Sequence, residues 1–288
     1  MEKNGEKLVY RPNGSGFACA AMNCHYLRYP LPYFLDAVQR YGFTNIELFG
    51  AMPHFFLDDV DEAETDAVAQ ACKARGLRIV CLTPAQGAYP MNISIASEKP
   101  RRRTLALLKR AIAAARRLGA PQMLVSPGFG YETQPKDRAW GICRQSLQEL
   151  AQCAQENGVT LLLEPLTTPS SNVVNTSAQS ARMLREVGSP AVKSMLDIGV
   201  MNFMGETVDE YFDNLGSDLL HVHFTDGPGA HVALGDGSFP MEAYASQIIR
   251  RGFAGTCSFE INDKRYLANP DAAMEKNIAW LKRNGYSA

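Results

Sequence analysis

Four residues carry the chemistry that is legible in this chain: Glu164 closing LLLE, Asp197 after SML, His223 in HVHF and Glu260 after CSF. Each stands at or near the end of a short apolar run. A carboxylate set among apolar side chains is costly unless it is paired or metal-bound. Taken singly, each residue has an ordinary explanation, an ion pair or helix cap for the acids and a core role for the histidine. Four on four successive runs are hard to explain as independent coincidences. Three carboxylates and one imidazole form a hard, oxygen-rich set suited to Mn²⁺, Mg²⁺ or Co²⁺, with positions left open for water or substrate. The absence of thiolates disfavours a structural zinc.

Residues so far apart in sequence can meet only if regular elements carry them to one place. Eight short apolar runs recur: FACAAMN from Phe17, NIELFG from Asn45, RIVCLTP from Arg78, QMLVSPG from Gln122, TLLLEPL from Thr160, VKSMLDIG from Val192, LLHVHFTD from Leu219 and GTCSFEIN from Gly255. Their near-continuous hydrophobicity is that of parallel strands covered on both faces. Between them lie helical spacings, such as Asp61 to Arg75 and Arg103 to Leu118, which stop at Gly76 and Gly119; Gly158, Gly188 and Gly252 punctuate later helices. Eight alternating βα units predict a (β/α)8 barrel. A doubly wound sheet shares the local pattern, but no GxGxxG follows the first strand. No linker-like tract interrupts the units, so residues 1–288 are expected to form one domain with a short N-terminal extension, 1–15, and long loops after strands three and four.

In such a barrel the active site sits at the C-terminal ends of the strands. Strands five to eight are neighbours, so the four residues can converge. His221 and His223 share a strand face, His223 as the expected ligand and His221 a layer deeper. Glu47, at the end of NIEL, faces the same mouth as a salt-bridge partner or a substrate contact. His25, His54, Tyr89 and His231 fall on the loops after strands one, two, three and seven and are candidate substrate contacts on the rim.

Composition narrows the function classes. The 288 residues are 46% apolar and 20% charged, with a net charge of −1, so no global field draws in nucleic acid or anionic lipid. The basic runs at 101–103 and 116–117 read as a solvated helix face. Seven cysteines, odd in number and without a CxxC, read as reduced thiols. No segment has the length and apolarity of a signal or a membrane span, which makes a cytoplasmic protein with a small-molecule substrate the expectation.

The segments LLLEPL, SMLDIG, HVHFTD and SFEI together resemble the xylose-isomerase-like TIM-barrel superfamily, and within it the ketose 3-epimerases of the tagatose and psicose group. IELFGAMPHFF, LTPAQGAYPMN, LEPLTTPSSNVVN and the stretch 194–237 are similar to the fructoselysine 3-epimerase type, and the likeness runs from about Phe17 to Leu281. The resemblance implies a metal-dependent carbohydrate epimerase, an isomerase. One divalent ion, Mn²⁺ or else Co²⁺, Mg²⁺ or Zn²⁺, would be bound by Glu164, Asp197, His223 and Glu260. It further implies that Glu164 and Glu260 double as acid and base on opposite sides of an enediolate, inverting C3, and that the protein is a homodimer or tetramer.

The departures fall on substrate-reading positions. Val200 stands where the tagatose group has a His, Ser170 where a second Glu is usual, and Gly229 where the group has an Arg, with His231 nearby matching a His of the fructoselysine-type loop. The ketose or conjugate is therefore left open. Aldose–ketose isomerisation is the nearest alternative reaction. A DNA-repair endonuclease of the superfamily with a trinuclear zinc site would need more than five histidines and a basic groove. A barrel that only binds sugar is disfavoured because both candidate acid/base glutamates are present.

Overall fold

A computed structural model of the chain describes residues 17–87 and 90–285, so the expected N-terminal extension and Tyr89 lie outside the described residues. All eight runs are strands: β1 (Ala18–Met22), β2 (Asn45–Gly50), β3 (Arg78–Pro84), β4 (Gln122–Val125), β5 (Thr160–Leu163), β6 (Val192–Asp197), β7 (Leu219–His223) and β8 (Thr256–Phe259). They pair in parallel in chain order, and β1 closes on β8 through Cys19 opposite Cys257 and Ala20 opposite Ser258. The (β/α)8 expectation holds.

The helices are α1 (Leu31–Arg40), α2 (Glu62–Ala74), α3 (Glu98–Leu118), α4 (Lys136–Asn157), α5 (Ser177–Val187), α6 (Ile198–Met204), α7 (Val208–Leu215), α8 (Met241–Arg250) and α9 (Asp271–Arg283). Local chemistry explains several of their boundaries. Asp61 with Glu64, Thr176 with Gln179 and Thr207 with Glu210 form reciprocal caps at the starts of α2, α5 and α7. Gly119, at φ 73°, ends α3 in the left-handed region that suits a residue without Cβ. Two features differ from the sequence pattern. Helix α3 begins five residues earlier than its apolar spacing suggested, because Pro100 sits in the first turn, where no amide bond is lost. After β6 the chain forms two helices instead of one, since Asp197, the last residue of the strand, caps α6 directly. None of the helices among the described residues is long and apolar enough to cross a membrane.

The main core lies between the strands and the helix ring, where Leu48, Val125, Leu163, Leu196 and Phe259 meet helix residues such as Leu108, Leu147 and Trp280. A second cluster lies inside the barrel. Glu47 on β2 and His221 on β7 meet across it at 2.7 Å, so their row points inward. Their register partners Cys81 and Met195 belong to the same row and pack with Leu124 and Leu162. A packed plug therefore lies beneath the mouth and leaves only the C-terminal end for chemistry. The seven cysteines are free thiols.

Candidate metal centre

Strand ends position the four residues. Asp197 and His223 are the last residues of β6 and β7 and stand opposite each other in the ladder. Glu164 and Glu260 each follow directly after a strand, and the Glu164 amide still bonds to the Val125 carbonyl at 3.1 Å. One donor atom from each of the four lies within 4.8 Å of the others. His223 Nδ1 is the hub, 3.4 Å from Glu164 Oε1, 3.3 Å from Asp197 Oδ2 and 3.2 Å from Glu260 Oε2.

A second layer aims the imidazole. His223 Nε2 lies 3.2 Å from Glu47 Oε1, while Glu47 Oε2 is 2.7 Å from His221 Nε2. The Thr83 hydroxyl also donates to Glu47, and Ser258 Oγ lies 2.9 Å from His221 Nε2. With Glu47 accepting the Nε2 proton, the Nδ1 lone pair faces the three carboxylates. That is how an outer carboxylate fixes the tautomer of a metal-binding histidine. Asp197 is held similarly: Oδ1 accepts from the Val200 amide at 2.8 Å. Its Oδ2 and His223 Nδ1 are buried without a hydrogen-bond partner among the described residues. Buried lone pairs without partners, converging with two further carboxylates, fit a divalent cation.

His231, from the loop after β7, completes the cluster. Its Nδ1 is 2.9 Å from Glu260 Oε2 and its Nε2 is 3.6 Å from Asp197 Oδ1. Gly199 permits this approach, because a Cβ there would lie 2.7 Å from His231 Nε2. The electrostatics divide the two glutamates. Burial, with Glu260 and Asp197 nearby, pushes Glu164 up to about 7 against the pull of His223. Burial acts the same way on Glu260, but His223 and His231 outweigh it and hold that carboxyl well below its usual range. Burial disfavours the His231 cation, yet Asp197 and Glu260 push it up to about 9.

Glu164 and Glu260 border a cavity of about 670 Å³ whose walls include Phe49, Phe56, Leu124 and Leu166, with Thr83, Gln86, Ser126 and Ser170 as polar points. Asp197 and His223 are essentially sealed below. The rim candidates separate. Glu47 is fully buried beneath the cluster, with both oxygens occupied, and does not reach the mouth. His54 is buried, its Nδ1 3.0 Å from the Asn23 side chain and its Nε2 2.7 Å from the Tyr29 carbonyl. His25 is buried against Tyr26 and Tyr266, where burial pushes it down to about 3. Of the rim candidates among the described residues, only His231 joins the cluster. Thr83, Ser258 and Gly199 were missed by sequence reasoning. Ser258 was within reach of it, because it lies two residues before Glu260 in CSFE, near the strand end where side chains alternate.

A family model described as xylose isomerase-like TIM barrel matches residues 35–284. A fructoselysine 3-epimerase of Escherichia coli O157:H7 is 32% identical over 241 residues, covering 83% of this chain and 88% of that protein. Among solved structures, D-psicose 3-epimerase with D-tagatose from Clostridium cellulolyticum H10 has a TM-score of 0.77 at 17% identity, over 92% of this chain and 97% of the other. A 3-keto-D-glucoside 4-epimerase from Escherichia coli has a TM-score of 0.79 at 20% identity, over 92% and 98%. These two structural matches speak for the fold alone.

Proposed function

The chain belongs to the xylose isomerase-like TIM barrel family, and on that premise we propose that it is a divalent-metal-dependent epimerase acting at C3 of a ketose or ketose conjugate of the fructoselysine kind. One observation carries the reading: of the four clustered donors, the two that border the cavity are Glu164 and Glu260. Glu164, Asp197, His223 and Glu260 would hold the ion, Mn²⁺ or a relative such as Co²⁺, Mg²⁺ or Zn²⁺. When bound, it would polarise the ketone oxygen and so acidify the neighbouring C3–H.

The remaining work belongs to the side chains. Epimerisation at C3 removes a proton from one face of the carbon and returns one to the other. Two carboxylates flanking a planar enediolate meet that need. Glu260, paired with His231 Nδ1 at 2.9 Å, is the base in one direction. Glu164, the other carboxyl that borders the cavity, delivers the proton to the opposite face, and the roles exchange in reverse. Phe49, Phe56, Leu124 and Leu166 keep bulk water from the intermediate. His231 steadies Glu260 through its Nδ1.

The test is NMR of fructoselysine, fructose, tagatose and psicose incubated in D2O with the protein and Mn²⁺, alongside a chelated control. Deuterium at C3 with a new C3 epimer, lost on chelation, is the expected result. Deuterium at C1 with an aldose product would make the enzyme an isomerase, and exchange at C4 would move the reaction one carbon along.

A further inference from the structure

The cavity at the metal centre adjoins another. It shares Gln86, Gly87, Ser126, Leu166 and Ser170 with a second cavity of about 610 Å³, formed by the loops after β3, β4 and β5. Each is the size of a complete small-molecule site, so together they exceed what a free hexose requires. The second chamber has apolar walls, including Met91, Ile93, Phe129 and Tyr131. Glu132 is the one charged side chain among the described residues that line it. Lys136 shares smaller adjoining hollows with Glu132 but does not line this chamber.

The chamber is braced. Asn172 Oδ1 accepts from the Gly130 amide at 2.8 Å, and its Nδ2 donates to Glu132 Oε1 at 2.7 Å. Tyr131 Oη and Ser97 Oγ are 2.8 Å apart. Glu132 forms no ion pair among the described residues, and one neutral amide leaves most of its acceptor capacity free. A carboxylate at the edge of an otherwise uncharged chamber selects a cation and repels an anion.

We propose that this second chamber is a subsite for the non-sugar part of a ketose conjugate, with Glu132 receiving an ammonium group carried by that part. The assignment rests on the ketose-epimerase reading of the metal centre. It makes Glu132 a specificity residue that touches the substrate away from the reacting carbons. A brace for the loop would need only an acceptor for Asn172, which an amide oxygen also supplies.

The experiment compares the Mn²⁺-loaded wild-type protein with E132Q on three ligands: fructose joined through the ε-amine to lysine amide, the same conjugate with its α-amine acetylated, and free fructose. Calorimetry gives Kd, and deuterium incorporation at C3 gives kcat and KM. Wild type is expected to bind the ammonium-bearing conjugate more tightly than either other ligand. E132Q should raise its Kd and KM about tenfold, the scale of one charge-assisted hydrogen bond, with little change in kcat, and abolish its preference over the acetylated conjugate. Equal effects on all three ligands, or no effect, would make Glu132 a loop brace and overturn the proposal. Equal wild-type affinity for fructose and both conjugates would remove the subsite itself. If no ketose exchanges at C3, the epimerase reading falls, while the calorimetry still decides whether the chamber takes a cation.

Discussion

At the scale of single residues, the centre is one imidazole shared by four carboxylates, and every group there is held by another. Glu164→Gln and Glu260→Gln are each expected to lower kcat by about a thousandfold, within the usual range for a lost acid or base, measured by C3 deuterium exchange at saturating metal. Glu47→Gln touches no cavity, yet it loosens the outer partner of His223. Metal affinity should fall by about 10- to 100-fold, read by competition with a chelating dye. Protons compete for the same atoms. The carboxylates around His223 raise its proton affinity well above that of a free imidazole, and Glu164 sits at about 7. Binding of the ion must displace these protons, so affinity should rise as pH increases through neutrality, with proton release detectable by calorimetry in two buffers. Affinity that is flat from about pH 6 to 8 would mean that neither group is a ligand.

At the scale of elements, the loop after β7 depends on one acid. Asp226 is buried, and its carboxylate accepts from the amides of Gly227, Gly235, Gly237 and Phe239 at 2.8 to 3.1 Å. This gathers the turn that carries His231. Asp226→Ala leaves several buried amides without a partner and is expected to cost about 3 kcal/mol or more in urea unfolding. It should also raise KM, because His231 loses its anchor. Helix α6 supplies the other half of this geometry: Asp197 caps it while offering Oδ2 to the cluster, and Gly199 leaves room for His231. Gly199→Ala should therefore displace His231 and raise KM with a small effect on stability, a split visible by comparing kinetics with thermal melts.

At the scale of the molecule, closure brings strands five to eight around to β1 and β2, and the centre stores like charge at the barrel mouth. Bound cation offsets that repulsion. At a hundredfold excess over Kd, the ion should stabilise the folded state by about 2.7 kcal/mol. For a chain of this size that corresponds to a rise in Tm of several degrees, which chelation should reverse. An unchanged Tm at saturating Mn²⁺ would argue against a site formed only on folding.

The eight strands, their order and the four residues at their ends were legible because each depends on local information: apolar runs of strand length, helix stops at glycine, and an acid or imidazole where a run ends. Sequence spacing also put His221 a layer below His223. Closure decided the rest. Glu47 and His221 are 174 positions apart, and only the barrel's circumference shows that they meet beneath the mouth, so Glu47 orients the imidazole from below. Loop histidines read the same in sequence whichever way they turn. Packing against Tyr26 and Tyr266 takes His25 inward, the Asn23 amide and Tyr29 carbonyl hold His54, and only His231 swings onto the cluster. The second chamber joins three loops from separate βα units. Its existence follows from how those loops pack, which no run of residues encodes by itself.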